Sequence, residues 1–177
     1  RLDEEAVRAR LAAPPYPARN PDDNLADLEA QVAANRWGEA ALRALARELG
    51  PDLVQATMRQ LQEAAAAKVR REIARLPAGV HRFVDRLDDG TPVAVAVRIG
   101  GEAMEIDFAG TGGAHAGNLN APRAIVSAAV LYVLRALVAE RLPLNGGCLL
   151  PVSIRIPPRG LLDPPREAAV VGGNVET

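Results

Sequence analysis

The chain has 177 residues, of which 49% are hydrophobic, 24% charged and 3% aromatic, with a formal net charge of −1. That apolar content can supply a folded core and excludes a disordered tail. The near-neutral charge gives no electrostatic case for nucleic acid or an anionic membrane, and so few rings offer no stacking platform for bases.

Basic charge is carried almost wholly by Arg, with Lys68 the only lysine, which together with the abundant Ala reads as a codon bias. Cys148 is the only cysteine, so no intrachain disulfide can form and a reducing, cytoplasmic setting is expected. The most apolar stretch, residues 124–138, is interrupted by Ser127 and Arg135 and is too short to span a bilayer. The start has neither an initiator Met nor a signal-peptide layout, and the end stops without punctuation. Both ends are therefore expected to be cuts within a longer polypeptide, leaving apolar surface around Val170 and Val171 and favouring self-association.

Residues 1–19 read as a short helix, with Leu2, Ala6, Val7 and Leu11 on one face, followed by a linker rich in proline. Asn20-Pro21-Asp22-Asp23 is a helix start: a side-chain cap, a proline at the first helical position, and acids at the positive dipole end. Leu28, Val32, Leu42, Leu45 and Leu49 continue at helical spacing, with Gly38 as an interruption. Gly50-Pro51 ends this helix and begins another carrying Val54, Met58, Leu61, Ala65, Val69, Ile73 and Leu76. The short connection predicts an antiparallel helical hairpin over residues 20–77.

From residue 78 onward the period switches to two. A strand over residues 80–87, a turn at Asp89-Gly90, a strand through Val93, Val95, Val97 and Ile99, and a third through Met104, Ile106 and Phe108 predict an antiparallel meander. A glycine-rich loop over residues 110–120 leads to a helix over residues 121–141, with Asn120 as its cap. That helix is apolar nearly all round, so it is expected to be central and covered by several neighbours. Asn145-Gly146 turns the chain into a fourth strand through Val152, Ile154 and Ile156. The fold class expected is α+β: a helical hairpin, then a meander packed on a central helix in the region 78–177.

The glycine-rich loop lies between a strand and a helix, the setting of a phosphate cradle. Its spacing is not that of a P-loop, and His115 stands where a dinucleotide fingerprint needs its third glycine, so a tight structural loop is the better reading. His81 and His115 lack metal-type spacing, and no metal site is predicted. Cys148 reads as a buried apolar thiol. Asp107 ends a strand beside the loop, where functional acids are common but so are acids that only brace a turn. His115 can reach a ligand from its loop, and Asn118, Asn120, Asn145 and Asn174 can orient a polar ligand or merely cap turns.

These residues also resemble a known family. Asp107-Phe108-Ala109-Gly110-Thr111, Gly117-Asn118-Leu119-Asn120, Pro143-Leu144-Asn145-Gly146-Gly147, residues 157–164 and Gly172-Gly173-Asn174-Val175-Glu176-Thr177 are similar, in register, to motifs of the hydantoinase B/5-oxoprolinase family. So is Asn20-Pro21-Asp22-Asp23 with the helix Asp27-Leu28-Glu29-Ala30-Gln31. Ala109, Gly112 and Pro158-Arg159 depart from the family pattern. The resemblance implies an internal piece of the B-type subunit of an ATP-dependent cyclic-amide hydrolase. It implies an A-type, ATP-binding partner subunit or fused half that phosphorylates the substrate's carbonyl oxygen, and a divalent metal in the intact complex. The family's metal ligands lie near the start of the B-type chain, and none is carried over. Asp107, Thr111 and Asn118 are then expected on the reactive rim, with His115, Asn120, Asn145, Asn174 and Glu176 toward a small cyclic amide. The alternatives are a subunit of an ATP-dependent ketone carboxylase, or an assembly region that only docks the A-type partner.

Overall fold

The computed structural model describes residues 2–15 and 17–175, and the chain divides into two compact units, Arg1–Thr57 and Met58–Thr177. In the first unit, α1 (Glu4–Leu11) starts where the Asp3 carboxylate accepts the Ala6 N–H at 3.1 Å. Helix α2 (Pro21–Leu49) starts as expected, Asn20 accepting the Asp23 N–H and Pro21 opening the helix. An ion pair between Arg8 and Asp22 ties the two together. Gly38 does not break α2, although a mid-helix glycine costs about 1 kcal/mol against alanine. Gly50, at φ +84°, ends it by adopting a backbone conformation that other residues resist, and α3 (Pro51–Ile73) follows at once. Leu42, Leu45 and Leu49, which continue α2 at helical spacing, are 41% to 50% exposed, so that face is open.

The second unit is built on a four-stranded mixed sheet in the order β1 (Gly79–Arg86), β2 (Pro92–Gly100), β3 (Ala103–Asp107), β4 (Val152–Arg155). The first three strands form the expected antiparallel meander. The fourth pairs parallel to β3, because the chain returns through α4 (Arg123–Leu137), and a parallel pair needs such a crossover. The core joins one side of this sheet to α3 and α4. Ala65, Val69 and Ile73 of α3 meet Ile99, Met104, Ile106 and Val152 of the sheet and Val130 and Leu134 of α4. Ala65 and Ala66 are completely buried, their small side chains allowing α3 to approach closely. A buried Val or Ile in such a core stabilises by about 1.5–3 kcal/mol.

Two expectations about α4 change. It ends at Leu137 rather than near residue 141, because Lys68 donates to the Arg141 carbonyl at 2.6 Å and Arg71 grips the Glu140 carboxylate at 3.2 Å, drawing residues 138–142 along α3. It is also covered on one face only. Val126, Val130 and Leu134 are buried, whereas Tyr132 and Val133 are 77% and 55% exposed. Between α4 and the sheet runs an apolar cleft of about 540 Å³, lined by Val95, Val97 and Phe108 on one side and Ile125, Ala129 and Val133 on the other. Strand β1 is exposed along its whole length as an edge strand.

Candidate functional site

The glycine-rich loop lies at the end of the sheet where β3 and β4 finish and β2 begins. Asp107 closes β3 on the face opposite the core, level with Ala96 on β2 and Arg155 on β4. One of its oxygens accepts the Ala109 N–H at 2.8 Å, turning the chain into the glycine-rich loop. Thr111 uses its hydroxyl to extend the sheet: the oxygen accepts the Ala94 N–H and donates to the Ala94 carbonyl, both at 3.0 Å. The loop then crosses the start of β2, where the Gly112 N–H donates to the Pro92 carbonyl.

The glycines here serve contact more than backbone angle. Gly110 takes a positive φ of +95°, but a Cβ on Gly112 would lie 2.6 Å from the Thr91 methyl, and one on Gly117 would lie 2.9 Å from the His115 ring. The loop amides are also committed to internal acceptors: Thr111 N–H to Phe108, Gly112 N–H to Pro92, His115 N–H to Asn120 and Gly117 N–H to His115. A phosphate cradle needs such amides pointing outward, so this loop does not fit ATP. Among the described residues no group of three or more His, Cys, Asp or Glu side chains is placed to hold a metal ion.

His115 is bound at both ring nitrogens. Nε2 donates to the Asp89 carboxylate at 3.0 Å, and Nδ1 accepts the Gly117 N–H at 2.8 Å. This fixes the Nε2–H tautomer for the neutral ring. Asp89, whose other oxygen accepts the Thr91 N–H at 2.8 Å, was legible in the sequence only as a turn residue. Its carboxyl is held below the usual range by the backbone hydrogen bond from Thr91 first, then by the Thr91 hydroxyl, with His115 adding to the effect.

Asn120 is completely buried. Its oxygen accepts the His115 N–H at 2.7 Å, and its nitrogen donates to the carbonyls of His115, Gly117 and Ala169 at 2.9 to 3.2 Å. It therefore holds the loop instead of facing a ligand, and it is not the cap of α4, which begins at Arg123 with Pro122 at the cap position and no side-chain cap. The same amide reaches the segment before α5 (Val171–Val175), whose Gly172 N–H donates to the Asn118 carbonyl at 2.8 Å.

Asn145 stands apart. It sits at the opposite end of the sheet, capping a 3-10 turn over Gly146–Leu149 and donating to the Leu61 carbonyl of α3 at 3.2 Å. Gly147 beside it presses on α3 so closely that a Cβ would lie 2.0 Å from the Gln62 carbonyl oxygen. The Pro-Leu-Asn-Gly-Gly turn is thus a helix-docking device. Cys148 is buried in the core, and exposed His81 bonds the Pro77 carbonyl. What remains open at the loop end is the second oxygen of Asp107 and the exposed side chains of Asn118 and Asn174. An ion pair of 3.0 Å between Arg123 and Asp163, not anticipated from sequence, braces the start of α4. Glu176 lies outside the described residues.

A mixed sheet covered on one side by α3 and α4, with a braced loop end presenting carboxylate and amide groups, is an α+β domain of the class expected from the sequence. The chain belongs to the Hydantoinase B/oxoprolinase family, whose profile matches residues 1–177. It is 43% identical over 166 residues to the 5-oxoprolinase of Saccharomyces cerevisiae, covering 90% of this chain and 13% of that protein. It is 41% identical over 175 residues to 5-oxoprolinase 1 of Arabidopsis thaliana, covering 90% of this chain and 14% of that protein. The ATP-dependent caprolactamase of Pseudomonas jessenii shares the fold, with a TM-score of 0.71 at 22% identity over 96% of this chain and 30% of that one. The chain thus spans about one seventh of the length of these 5-oxoprolinase relatives.

Proposed function

We propose that the polypeptide carrying this segment is an ATP-dependent cyclic-amide hydrolase, and that the segment supplies part of the substrate-facing rim of its B-type portion. The carrying observation is the identity of about 40% to 5-oxoprolinases along nine tenths of the chain. The fold shared with a caprolactamase, an enzyme named for another lactam, agrees with it. Asp107 offers a carboxylate oxygen to accept a proton, and Asn118 and Asn174 offer amide donors and acceptors that complement the N–H and C=O of a cyclic amide. Thr111, His115 and Asn120 hold the rim in shape. ATP and any metal belong to segments outside this chain, in an A-type partner or fused half, so the chain alone is inactive. The setting we propose is the cytoplasm; among the described residues no helix is long and apolar enough to cross a membrane.

The test is an assay of the intact protein, with its A-type partner, against 5-oxoproline and hydantoins in the presence of ATP, with and without bicarbonate. Ring opening that requires ATP and ignores bicarbonate supports the reading. Turnover of ketones that requires bicarbonate replaces it with a carboxylase.

A further inference from the structure

The loop that carries Asn118 is held by a residue of the adjoining β1–β2 turn, Asp89. We propose that Asp89, acting through His115, is a positioning residue for the rim: it fixes the orientation and tautomer of the His115 ring, which in turn fixes the backbone at Gly117 and so the direction of Asn118. The inference rests on the functional reading above and deepens it.

The geometry is a chain of directional contacts. The Thr91 N–H holds one Asp89 oxygen at 2.8 Å, leaving the other to take the Nε2–H of His115 at 3.0 Å. With Nε2 carrying the proton, Nδ1 is an acceptor and receives the Gly117 N–H at 2.8 Å. Asn120 clamps the same histidine from behind, bonding both its backbone N–H and its carbonyl. Removing the carboxylate takes away the contact that keeps Nδ1 aimed at Gly117. The flipped tautomer would present a proton to that N–H and push the loop away. The side chain of His115 is only 22% exposed, so water does not readily replace the missing partner. Asp89 also reaches the loop through Thr91, whose methyl lies against Gly112, but only the His115 ring leads on to the Gly117 N–H beside Asn118.

Asparagine at position 115 separates this role from a general contribution to the turn, because its amide oxygen occupies about the place of Nδ1 and needs no carboxylate to orient a ring. In the intact protein turning over 5-oxoproline with ATP, Asp89→Ala is expected to lower kcat about tenfold with a smaller change in KM, a small displacement of a substrate-facing group being enough for that. In the His115→Asn background the same Asp89→Ala change is expected to have little further effect. Hydrogen exchange at residues 113–120 is expected to quicken in Asp89→Ala and not in His115→Asn. Equal losses from Asp89→Ala in both backgrounds, or unchanged kcat and exchange, overturn the positioning role while leaving the hydrolase reading intact. Wild-type protein inert toward cyclic amides overturns both.

Discussion

Gly173 lies so close to Asn120 that a Cβ built on it would stand 2.2 Å from the Asn120 carbonyl oxygen. Two motifs more than fifty positions apart in the chain, Gly117-Asn118-Leu119-Asn120 and Gly172-Gly173-Asn174, are therefore halves of one packed element. Only a residue without a side chain lets α5 settle there, and only a buried amide at position 120 satisfies the backbone groups enclosed beneath it.

Replacing Asn120 with Ala is expected to destabilise the second unit by about 3 kcal/mol, because the half-buried His115 N–H and the Ala169 carbonyl lose a fully buried partner. Chemical denaturation reads this directly. A loss below about 0.5 kcal/mol would show that water or a shifted backbone replaces the amide.

The Gly147 contact makes a second prediction with an internal control. Gly147→Ala is expected to cost about 3 kcal/mol or more, since the obstacle is the Gln62 backbone and cannot rotate away. Gly146→Ala, with open space around it, is expected to stay within about 0.5 kcal/mol. Similar melting points for the two variants would contradict the docking role of the turn.

Acid sensitivity follows from Asp89 and Glu140, whose carboxyls are both held below their ordinary values of 3.8 and 4.5, Glu140 by Arg71 first and Lys68 next. A lowered carboxyl favours the folded state once it ionises in the unfolded chain. That contribution is present above these ordinary values and disappears as pH falls through the lower folded-state ones. Thermal melts of wild type and of Asp89→Asn with Glu140→Gln, from neutral pH to below 3.8, are expected to converge at the acid end. Curves that stay parallel throughout would rule out both contacts as sources of pH dependence.

Much of this was legible in sequence wherever the signal is local. The cap at Asn20, the stop at Gly50 and the alternation along β2 and β3 depend on near neighbours and were met. The early end of α4 at Leu137 and the burial of Asn120 depend on Lys68, Arg71 and Ala169, each at least forty-nine positions from the group it bonds, and the parallel pairing of β4 depends on β3, a distant strand. Apolar residues all round α4 signalled burial, yet they say nothing of which polypeptide provides the cover. At the site, the Asp-Gly turn announced Asp89, but the direction of its second oxygen is a tertiary fact.

Exposed apolar surface gives a further expectation. With Trp37 and Tyr132 each 77% exposed and the cleft beside α4 open, the 177-residue chain by itself is expected to self-associate and to bind an apolar reporter dye. A monodisperse monomer by light scattering at high concentration would contradict this.

If the loop end of the sheet faces the substrate of an ATP-dependent cyclic-amide hydrolase, as proposed, the decisive variant is Asp107→Asn in the intact protein. Asparagine keeps the oxygen that accepts the Ala109 N–H, so the turn and its stability are preserved while the charge is lost. ATP-dependent turnover of 5-oxoproline is expected to fall by about a hundredfold, in the range seen when a proton-transfer group is removed, with an unchanged melting temperature. Wild-type turnover in this variant would contradict the account and move the reacting centre away from this segment.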